Sequence, residues 1–230
     1  MKFVGFQKLT LLDYPGKVAC TLFTLSCNFR CPFCHNGELI DNIKIYEVYE
    51  EEEILSYLQK RKGVLDGVCI TGGEPLLNKD LPQFIAKVKL LGYSVKLDTN
   101  GSRPQELKYL VKNKLIDYVA MDIKNSFEKY KITSNASDED IDSVKLSIKY
   151  LLEGQIDYEF RTTIVSEFHT AEDIETLAKE IKGAKRYFLQ NFVDSEYVIE
   201  KNLHSVPFET LKKMKNNASR YINDVQLRGV

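Results

Sequence analysis

Six short apolar runs, rich in β-branched and aromatic residues, alternate along this chain with segments of helical spacing. In the intervening segments, apolar residues recur at intervals of three and four, which is typical of amphipathic helices. Strand–helix alternation of this kind predicts right-handed βαβ crossovers and a parallel sheet that is buried on both faces. The predicted strands are "VACTLFTL" (18–25), "GVCITGG" (67–73), "YSVKLDTNG" (93–101), "YVAMDIK" (118–124), "YEFRTTIV" (158–165) and "RYFLQNF" (186–192).

Local signals predict where several helices begin and end. Four glutamates precede the apolar stripe that starts at Ile54, and a basic cluster with Gly63 follows it. This order suits the helix dipole and a glycine at the helix end. Another stripe ends before Gly92, and Thr170 with Asp173 has the pattern of a capping box that opens a later helix.

The number of strands limits the architecture. Six strands are fewer than a closed eight-stranded α/β barrel requires, and such barrels typically need about 250 residues. An incomplete (β/α)6 barrel with parallel strands and an open doubly wound sheet both fit. We expect one domain over 1–230, with a core over about 16–192 and a covering helix and short strand over 193–230. In either architecture, ligands bind at the carboxyl ends of the strands.

Charge and composition exclude some classes of function. The formal net charge is −1, which gives no electrostatic reason to expect nucleic acid or a membrane surface as a partner. No run approaches the roughly 18 apolar residues that a spanning helix requires. The first residues include Asp13 and do not resemble a signal peptide. We therefore predict a cytoplasmic protein.

Three cysteines crowd into one short loop, "SCNFRCPFCHNGE", which contains Cys27, Cys31 and Cys34. In a reducing compartment, such crowding indicates metal binding rather than disulfides. A structural zinc ion needs four ligands, and the other thiols, Cys20 and Cys69, lie inside apolar strands as small core residues. Three thiolates can instead hold three irons of an iron–sulfur cube and leave the fourth iron open. Zinc is therefore the less favoured alternative.

The spacing Cys27-x-x-x-Cys31-x-Phe33-Cys34 resembles the signature of the radical S-adenosylmethionine (SAM) superfamily. The resemblance implies an incomplete (β/α)6 barrel, a [4Fe–4S] cluster held by the three cysteines, and SAM as a second cofactor. The three cysteines are then both the metal ligands and the catalytic residues. Phe33, directly before the third cysteine, is expected to contact the cofactor.

A second motif of the same superfamily, "GGEP", follows the next predicted strand. In the superfamily this motif meets the methionine amino group of SAM. Glu74 can accept hydrogen bonds from that group. Gly72 and Gly73 would let the backbone approach the ligand, where a Cβ would obstruct it. Pro75 stops the strand and has no N–H to leave unsatisfied.

A narrower resemblance comes from "DYPGKVACTLFTLSCNFRCPFCHN", which is similar to the opening of glycyl-radical-enzyme activases. Those proteins carry Asp-Gly-Pro-Gly before the cysteines and His-Asn after them. Here Tyr14 replaces the first glycine, whereas His35 and Asn36 match. "LDTNG" (97–101) and "MDIK" (121–124) also look like activase motifs, so the similarity extends over about 5–125. The opening "GFQKLTLLDYPGK" most resembles the activating protein of anaerobic ribonucleoside-triphosphate reductase.

The activase resemblance implies that the cluster donates an electron to SAM and that the resulting radical abstracts hydrogen from a glycine of a partner enzyme. A flavodoxin or ferredoxin is the implied electron donor, because the cluster must work at a strongly negative potential. The cofactor contacts that the resemblance implies, beyond the motifs above, are Asn36, Asp98, Asn100, Asp122, Lys124, Arg161 and Gln190.

The charges of several of these residues determine which groups they can contact. Lys124 can pair with the SAM carboxylate, whereas Asp98 and Asp122 would repel it unless a monovalent cation or hydroxyl groups intervene. Arg161 lies in an apolar strand and needs a partner, which is either the cofactor or a structural carboxylate. Asn100 also belongs to an Asn-Gly pair that commonly forms turns. The isolated histidines at 169 and 204 are not expected to act directly.

Two other functions remain open at this point. One is a radical SAM enzyme that acts on a small molecule such as a deazapurine precursor. The other is a non-catalytic iron–sulfur protein for electron transfer, although that function does not explain the motifs gathered at the strand ends. For an activase, position alone suggests that the partner's glycine loop inserts beside Tyr14 and Pro15.

Overall fold

The computed structural model describes residues 1–40 and 47–229. Its strands are β1 Lys2–Phe3, β2 Gly5–Thr10, β3 Ala19–Thr24, β4 Tyr49–Glu50, β5 Gly67–Gly72, β6 Ser94–Thr99, β7 Tyr118–Asp122, β8 Asp157–Ile164, β9 Tyr187–Asn191 and β10 Val225–Arg228. Its helices are α1 Glu51–Lys60, α2 Leu81–Leu90, α3 Pro104–Lys112, α4 Tyr130–Ser134, α5 Asp138–Leu152, α6 Ala171–Glu180 and α7 Phe208–Ala218. The six predicted strands are confirmed as β3 and β5–β9, and the predicted C-terminal helix and strand as α7 and β10.

Close contacts divide the chain into two compact units that alternate along the sequence. The first unit comprises Met1–Asn28, Glu38–Thr99 and Arg103–Val119. The second unit comprises Phe29–Gly37, Asn100–Ser102 and Ala120–Val230. Strand β7 begins in the first unit and ends in the second. The single domain expected over 1–230 remains a prediction.

The sheet of the first unit has the strand order β6-β5-β3-β2. Strands β3, β5 and β6 are parallel, and β2 pairs with β3 in the antiparallel direction. The sequence pattern missed β2 because most of its residues are partly or fully exposed, so it lacks an apolar run. Strands β1 and β4 form a separate antiparallel pair.

The sheet of the second unit has the order β10-β9-β8-β7, with β8, β9 and β10 parallel. Helix α6 begins with the predicted capping box. The Asp173 N–H donates to Thr170 Oγ1 over 3.2 Å, and the Thr170 N–H donates to Asp173 Oδ2 over 2.9 Å. The two bonds satisfy the backbone N–H groups of Thr170 and Asp173 at the start of the helix, as the sequence pattern predicted.

The strand order does not close on itself, since it ends at β2 and at β10. The α/β class with a mostly parallel, open sheet is therefore confirmed. Throughout the described ranges, the helices are too short or too polar for any of them to cross a membrane.

Tyr14 lies at the amino edge of the first unit's sheet. Its ring is buried in a cluster with Ala19 and Tyr118, which begin β3 and β7. Its Cδ1 lies 2.9 Å from the position that a Cβ would take on Gly67, the first residue of β5. Because "GGEP" follows the opposite ends of these strands, Tyr14 lies away from that motif within the first unit. Insertion of a partner's glycine loop beside Tyr14 and Pro15 remains a prediction.

Candidate functional site

The two glycines of "GGEP" fit against the backbone that leads into the cysteine loop. Gly72 has a φ of +115°, and a Cβ there would lie 2.3 Å from the Thr24 nitrogen. A Cβ on Gly73 would lie 2.0 Å from the Ser26 carbonyl oxygen. The glycines are therefore required by backbone packing inside the first unit, a reason that differs from the predicted approach to a ligand.

Backbone hydrogen bonds complete this junction. The Gly73 N–H donates to the Thr24 carbonyl over 2.9 Å, and the Glu74 N–H donates to the Ser26 carbonyl over 2.8 Å. Ser26 has a φ of +70°, which non-glycine residues rarely adopt, and its N–H donates to the Leu39 carbonyl. The residue before Cys27 is thus tied to the glutamate motif, so the first cysteine has a defined position in this unit.

Glu74 is completely buried, and two hydrogen bonds fix its carboxylate. Its Oε1 accepts from the Leu76 N–H over 3.1 Å and from Thr99 Oγ1 over 2.8 Å. Pro75 follows it and begins a short 3₁₀ turn, Pro75–Leu77. Thr99 was not predicted as a site residue. Thr99 could have been found from its position in "LDTNG", where its two polar neighbours, Asp98 and Asn100, were predicted instead.

Asp98 has a cationic partner inside the first unit. Its carboxylate forms an ion pair with the ammonium of Lys96, a buried lysine that sequence reasoning missed. In the second unit, Asp122 has cationic partners of its own, Arg161 and Lys124. The monovalent cation was predicted because two aspartates would repel the SAM carboxylate unless a cation or hydroxyl groups intervene, and it remains a prediction.

In the second unit, backbone contacts hold the loop of Cys31 and Cys34. The Cys34 N–H donates to the Cys31 carbonyl over 3.1 Å, which closes a turn between the two thiols. The Arg30 N–H donates to the Ser134 carbonyl, and Pro32 accepts from the N–H of residue 200. Cys31 is buried and Cys34 is half-buried. Two of the predicted ligands therefore lie on one anchored turn.

Aromatic packing supports the same loop. Phe33 is buried, with its ring centroid 5.9 Å from that of Phe168 and 6.1 Å from that of His169. The Nε2 of His169 lies 2.8 Å from the Lys124 carbonyl, and its Nδ1 accepts from the Val165 N–H over 3.1 Å. Burial lowers the pKa of His169, which favours the neutral ring. His169 thus contacts both the segment that follows β7 and the aromatic residue of the cysteine loop, a structural role that the sequence did not indicate.

A carboxylate with two cations lies at the end of β7. Asp122 Oδ1 is 2.8 Å from Arg161 Nε, and Asp122 Oδ2 is 3.4 Å from Lys124 Nζ. Burial acts to raise the pKa of Asp122, but Arg161 and Lys124 outweigh it and hold that pKa well below its usual range. The predicted partner of Arg161 is therefore a carboxylate of this chain.

Lys124 also influences the two thiols of its unit. Burial acts to lower its pKa, but Asp122 and then Cys31 outweigh this effect and hold the pKa of Lys124 above its usual range. Burial raises the pKa of Cys34, whereas the Asn36 backbone N–H and the Lys124 charge act in the opposite direction. The charge of Lys124 thus acts to lower the pKa of Cys34, but burial outweighs it and leaves that pKa above its usual value.

We expect Asp122→Asn to lower the free energy of unfolding by about 1–3 kcal/mol at neutral pH, because Arg161 and Lys124 lose their counter-charge. This expected loss is smaller than for a fully buried ion pair, because 34% of the Asp122 side chain is exposed and solvent screens its charge. Since folding lowers this pKa, the stabilisation is complete above the unfolded pKa and is lost as pH falls through the folded pKa. The difference in unfolding free energy between the unmodified chain and Asp122→Asn should therefore become smaller below about pH 4.

Urea unfolding at a series of pH values measures this effect. Asp138→Asn is the matched control, because Asp138 pairs with Lys131 on the surface and both side chains are largely exposed. We expect the control to change stability by less than about 0.5 kcal/mol. A loss that is equal in the two variants, or that grows in acid, would contradict the assignment.

The remaining predicted contacts have structural surroundings of their own. Asn100 Oδ1 accepts from the Ser102 N–H over 2.9 Å, so the expected Asn-Gly turn is present. Gly101 has a φ of +78°, and a Cβ there would lie 2.0 Å from Met121 Cε. Gln190 is half-buried in β9, in register with Thr163 of β8. Their contacts with a cofactor remain predictions.

All five cysteines lie in the described part of the chain, and none forms a disulfide. Cys27 belongs to the first unit, whereas Cys31 and Cys34 belong to the second. Within residues 1–40 and 47–229, no group of three or more His, Cys, Asp or Glu side chains is arranged to hold a metal ion. Joint metal binding by the three cysteines is therefore still a prediction.

Comparison with known families and sequences identifies relatives. Residues 21–188 match the Radical SAM superfamily. A Methanocaldococcus jannaschii protein, provisionally named a glycyl-radical enzyme activating enzyme, is 35% identical over 236 residues, covering 98% of this chain and 95% of its own. A Saccharolobus solfataricus protein, provisionally named a GTP 3′,8-cyclase, is 35% identical over 132 residues, but these cover 54% of this chain and 41% of its own.

Solved structures share the fold at low sequence identity. Native anSMEcpe with bound AdoMet has a TM-score of 0.66 at 20% identity, covering 89% of this chain and 62% of its own. Streptococcus suis SuiB bound to S-adenosylmethionine has a TM-score of 0.69 at 16% identity, covering 90% of this chain and 49% of its own. This chain therefore spans about half the length of SuiB.

Proposed function

This chain belongs to the radical SAM superfamily, and on that premise we propose that it is an activating enzyme that generates a glycyl radical on a partner enzyme. The observation that carries the proposal is the 35% identity to the Methanocaldococcus jannaschii protein, because it covers nearly the whole of both chains. A match that was limited to the superfamily's core would not distinguish activation from other radical chemistry. The motifs around the cysteines support the same function.

Membership of the superfamily implies a [4Fe–4S] cluster and SAM. The donor set fits a cluster, because Cys27, Cys31 and Cys34 are outside disulfides and thiolates are the usual ligands of such clusters. In the second unit, the charge of Lys124 acts to lower the pKa of Cys34 against the raising effect of burial. When bound, the cluster supplies an electron that cleaves SAM, and SAM supplies the radical that abstracts hydrogen.

The chain's own residues would bind and orient SAM. Glu74, whose carboxylate accepts from Thr99 and the Leu76 N–H, would accept a further hydrogen bond from the methionine amino group. Lys124 would pair with the methionine carboxylate, while Asp122 holds the side-chain ammonium of Lys124 in position. The other predicted contacts, at Phe33, Asn36, Gly72, Gly73, Pro75, Asp98, Asn100, Arg161 and Gln190, belong to the same proposal.

For the partner we propose anaerobic ribonucleoside-triphosphate reductase, with a flavodoxin or ferredoxin as electron donor. The similarity of the N-terminal segment supports this choice of partner. Cluster potentials span roughly −700 to +450 mV, and reducing a sulfonium requires the negative end of that range. A low-potential carrier of this kind meets that need.

A second candidate is a radical SAM enzyme that acts on a small molecule. The observation in its favour is the identity to the Saccharolobus solfataricus protein. That match covers 54% of this chain and 41% of the relative, so it leaves much of both chains unmatched. The whole-length match therefore favours activation.

Anaerobic incubation with SAM, dithionite and a candidate reductase tests the proposal. We expect formation of 5′-deoxyadenosine and a glycyl radical doublet in the EPR spectrum of the reductase. A reductase with alanine in place of its radical glycine is the control and should give no doublet. Cleavage of SAM with no doublet on any of several candidates would favour the small-molecule enzyme, and no cleavage at all would overturn both.

A further inference from the structure

Lys96 is a fully buried cation inside the first unit. Only 2% of its side chain is exposed, and it lies on β6, two residues before Asp98. Successive side chains of a strand point to opposite faces, so Lys96 and Asp98 share one face and form an ion pair there. Cys69, the register partner of Lys96 on β5, has its sulfur 3.7 Å from Nζ and 3.8 Å from Asp98 Oδ1.

Fold stability gives no reason for a lysine at this position. A buried ion pair must recover the cost of removing both charges from water, and apolar residues of similar volume often stabilise a protein equally well. The neighbours Val95 and Leu97 are apolar and fully buried, so the strand packs without charge on its other face. The ion pair therefore calls for a functional explanation.

Its position on the strand suggests what the ion pair does. Asp98 lies near the carboxyl end of β6, and the next residue, Thr99, donates to Glu74 of the proposed amine-binding motif. A carboxylate at this edge would repel the methionine carboxylate of SAM unless a positive charge neutralised it. A metal cation could supply that charge, and the ammonium of Lys96 already does so within the chain.

We propose, on the basis of the SAM-dependent function above, that Lys96 is a built-in cation that neutralises and orients Asp98, so that SAM binds without an added monovalent metal ion. Lys96 is a positioning residue in this scheme, because it acts on SAM through Asp98. A purely structural ion pair would stabilise the sheet but would leave SAM binding indifferent to the identity of the buffer cation.

The test measures the SAM dissociation constant of anaerobically reconstituted protein, with K⁺, Na⁺ or tetramethylammonium as the sole monovalent cation at equal ionic strength. For the unmodified chain we expect less than about a twofold change among the three. Lys96→Met should weaken binding about tenfold in tetramethylammonium, and K⁺ or Na⁺ should restore most of the loss. Lys96→Arg retains a charge and should behave like the unmodified chain.

Thermal unfolding of the same full-length proteins gives a second readout that needs neither SAM nor a partner. K⁺ should raise the midpoint of Lys96→Met relative to tetramethylammonium and leave the unmodified chain unchanged. The double variant Lys96→Met with Asp98→Asn, which has no buried charge to neutralise, should fold and show no cation effect. If activation were the wrong function, SAM cleavage would occur without a glycyl radical on the partner; if SAM-dependent chemistry were wrong altogether, cleavage would be absent, and in both cases this cation effect on unfolding would remain.

Three results would overturn the assignment of Lys96. One is a requirement of the unmodified chain for K⁺ or Na⁺. Another is normal SAM binding by Lys96→Met in tetramethylammonium. The third is a loss of binding in Lys96→Met that no metal cation restores, because that result would mean that Lys96 acts through packing.

Discussion

Replacing Cys31 by serine is expected to abolish the iron–sulfur centre and, with it, all measurable cleavage of SAM. Serine is close to cysteine in size, so the anchored turn should persist. Its hydroxyl, however, does not ionise near neutral pH, and oxygen is a harder ligand than the thiolate that iron–sulfur clusters require. After anaerobic reconstitution, iron and sulfide should fall from about four of each per chain to background.

A buried cysteine outside the loop is the matched control. Cys20 lies within β3 with no exposed surface, and burial raises its pKa to about 12. We expect Cys20→Ala to keep its iron and sulfide content and its formation of 5′-deoxyadenosine, with a modest loss of stability. The ligand assignment fails if Cys31→Ser retains a full cluster.

Tyr14→Gly is expected to destabilise the protein by about 3–5 kcal/mol, the range for removing a buried aromatic ring. The ring fills the space beside Gly67, Ala19 and Tyr118, where the lack of a side chain on Gly67 leaves room for it. A glycine at 14 would leave a cavity under the starts of three strands. Urea or thermal unfolding measures the loss.

Partner activation should behave differently from stability. Strand β3 has six residues, so about 17 Å separates its amino end, beside Tyr14, from the end that leads to Cys27. We therefore expect the activity per folded molecule to be unchanged. Tyr14→Phe keeps the ring and should cost about 1 kcal/mol or less. A stable Tyr14→Phe protein that cleaves SAM but cannot activate its partner would restore a role for this segment in docking.

Local pattern was sufficient to predict much of this fold. Apolar runs and helical stripes predicted six parallel strands, the capping box at Thr170 and the C-terminal helix, because these depend on neighbours in sequence. The edge strand β2 and the short pair β1–β4 were missed. Their residues are largely exposed or few, so they leave little pattern to read.

Candidate site residues differ in the same respect. Glu74 and Asp122 were predicted from residue types and spacing, which are local properties of the chain, and their contacts with a cofactor remain predictions. Thr99, Lys96 and His169 could not be predicted, since each acts on a group that folding brings to it. The reason for the glycines in "GGEP" was likewise hidden in the backbone of Thr24 and Ser26.

The sequence by itself determined the crowded thiols, the order of strands and helices, and the polar residues that follow strand ends, because spacing and periodicity are carried by adjacent residues. Only the tertiary structure decided which charges neutralise one another and which end of a strand a loop residue occupies. Tyr14 is near the cysteines in sequence, but β3 carries the chain away from it. Lys96 resembles any other lysine until folding buries it against Asp98.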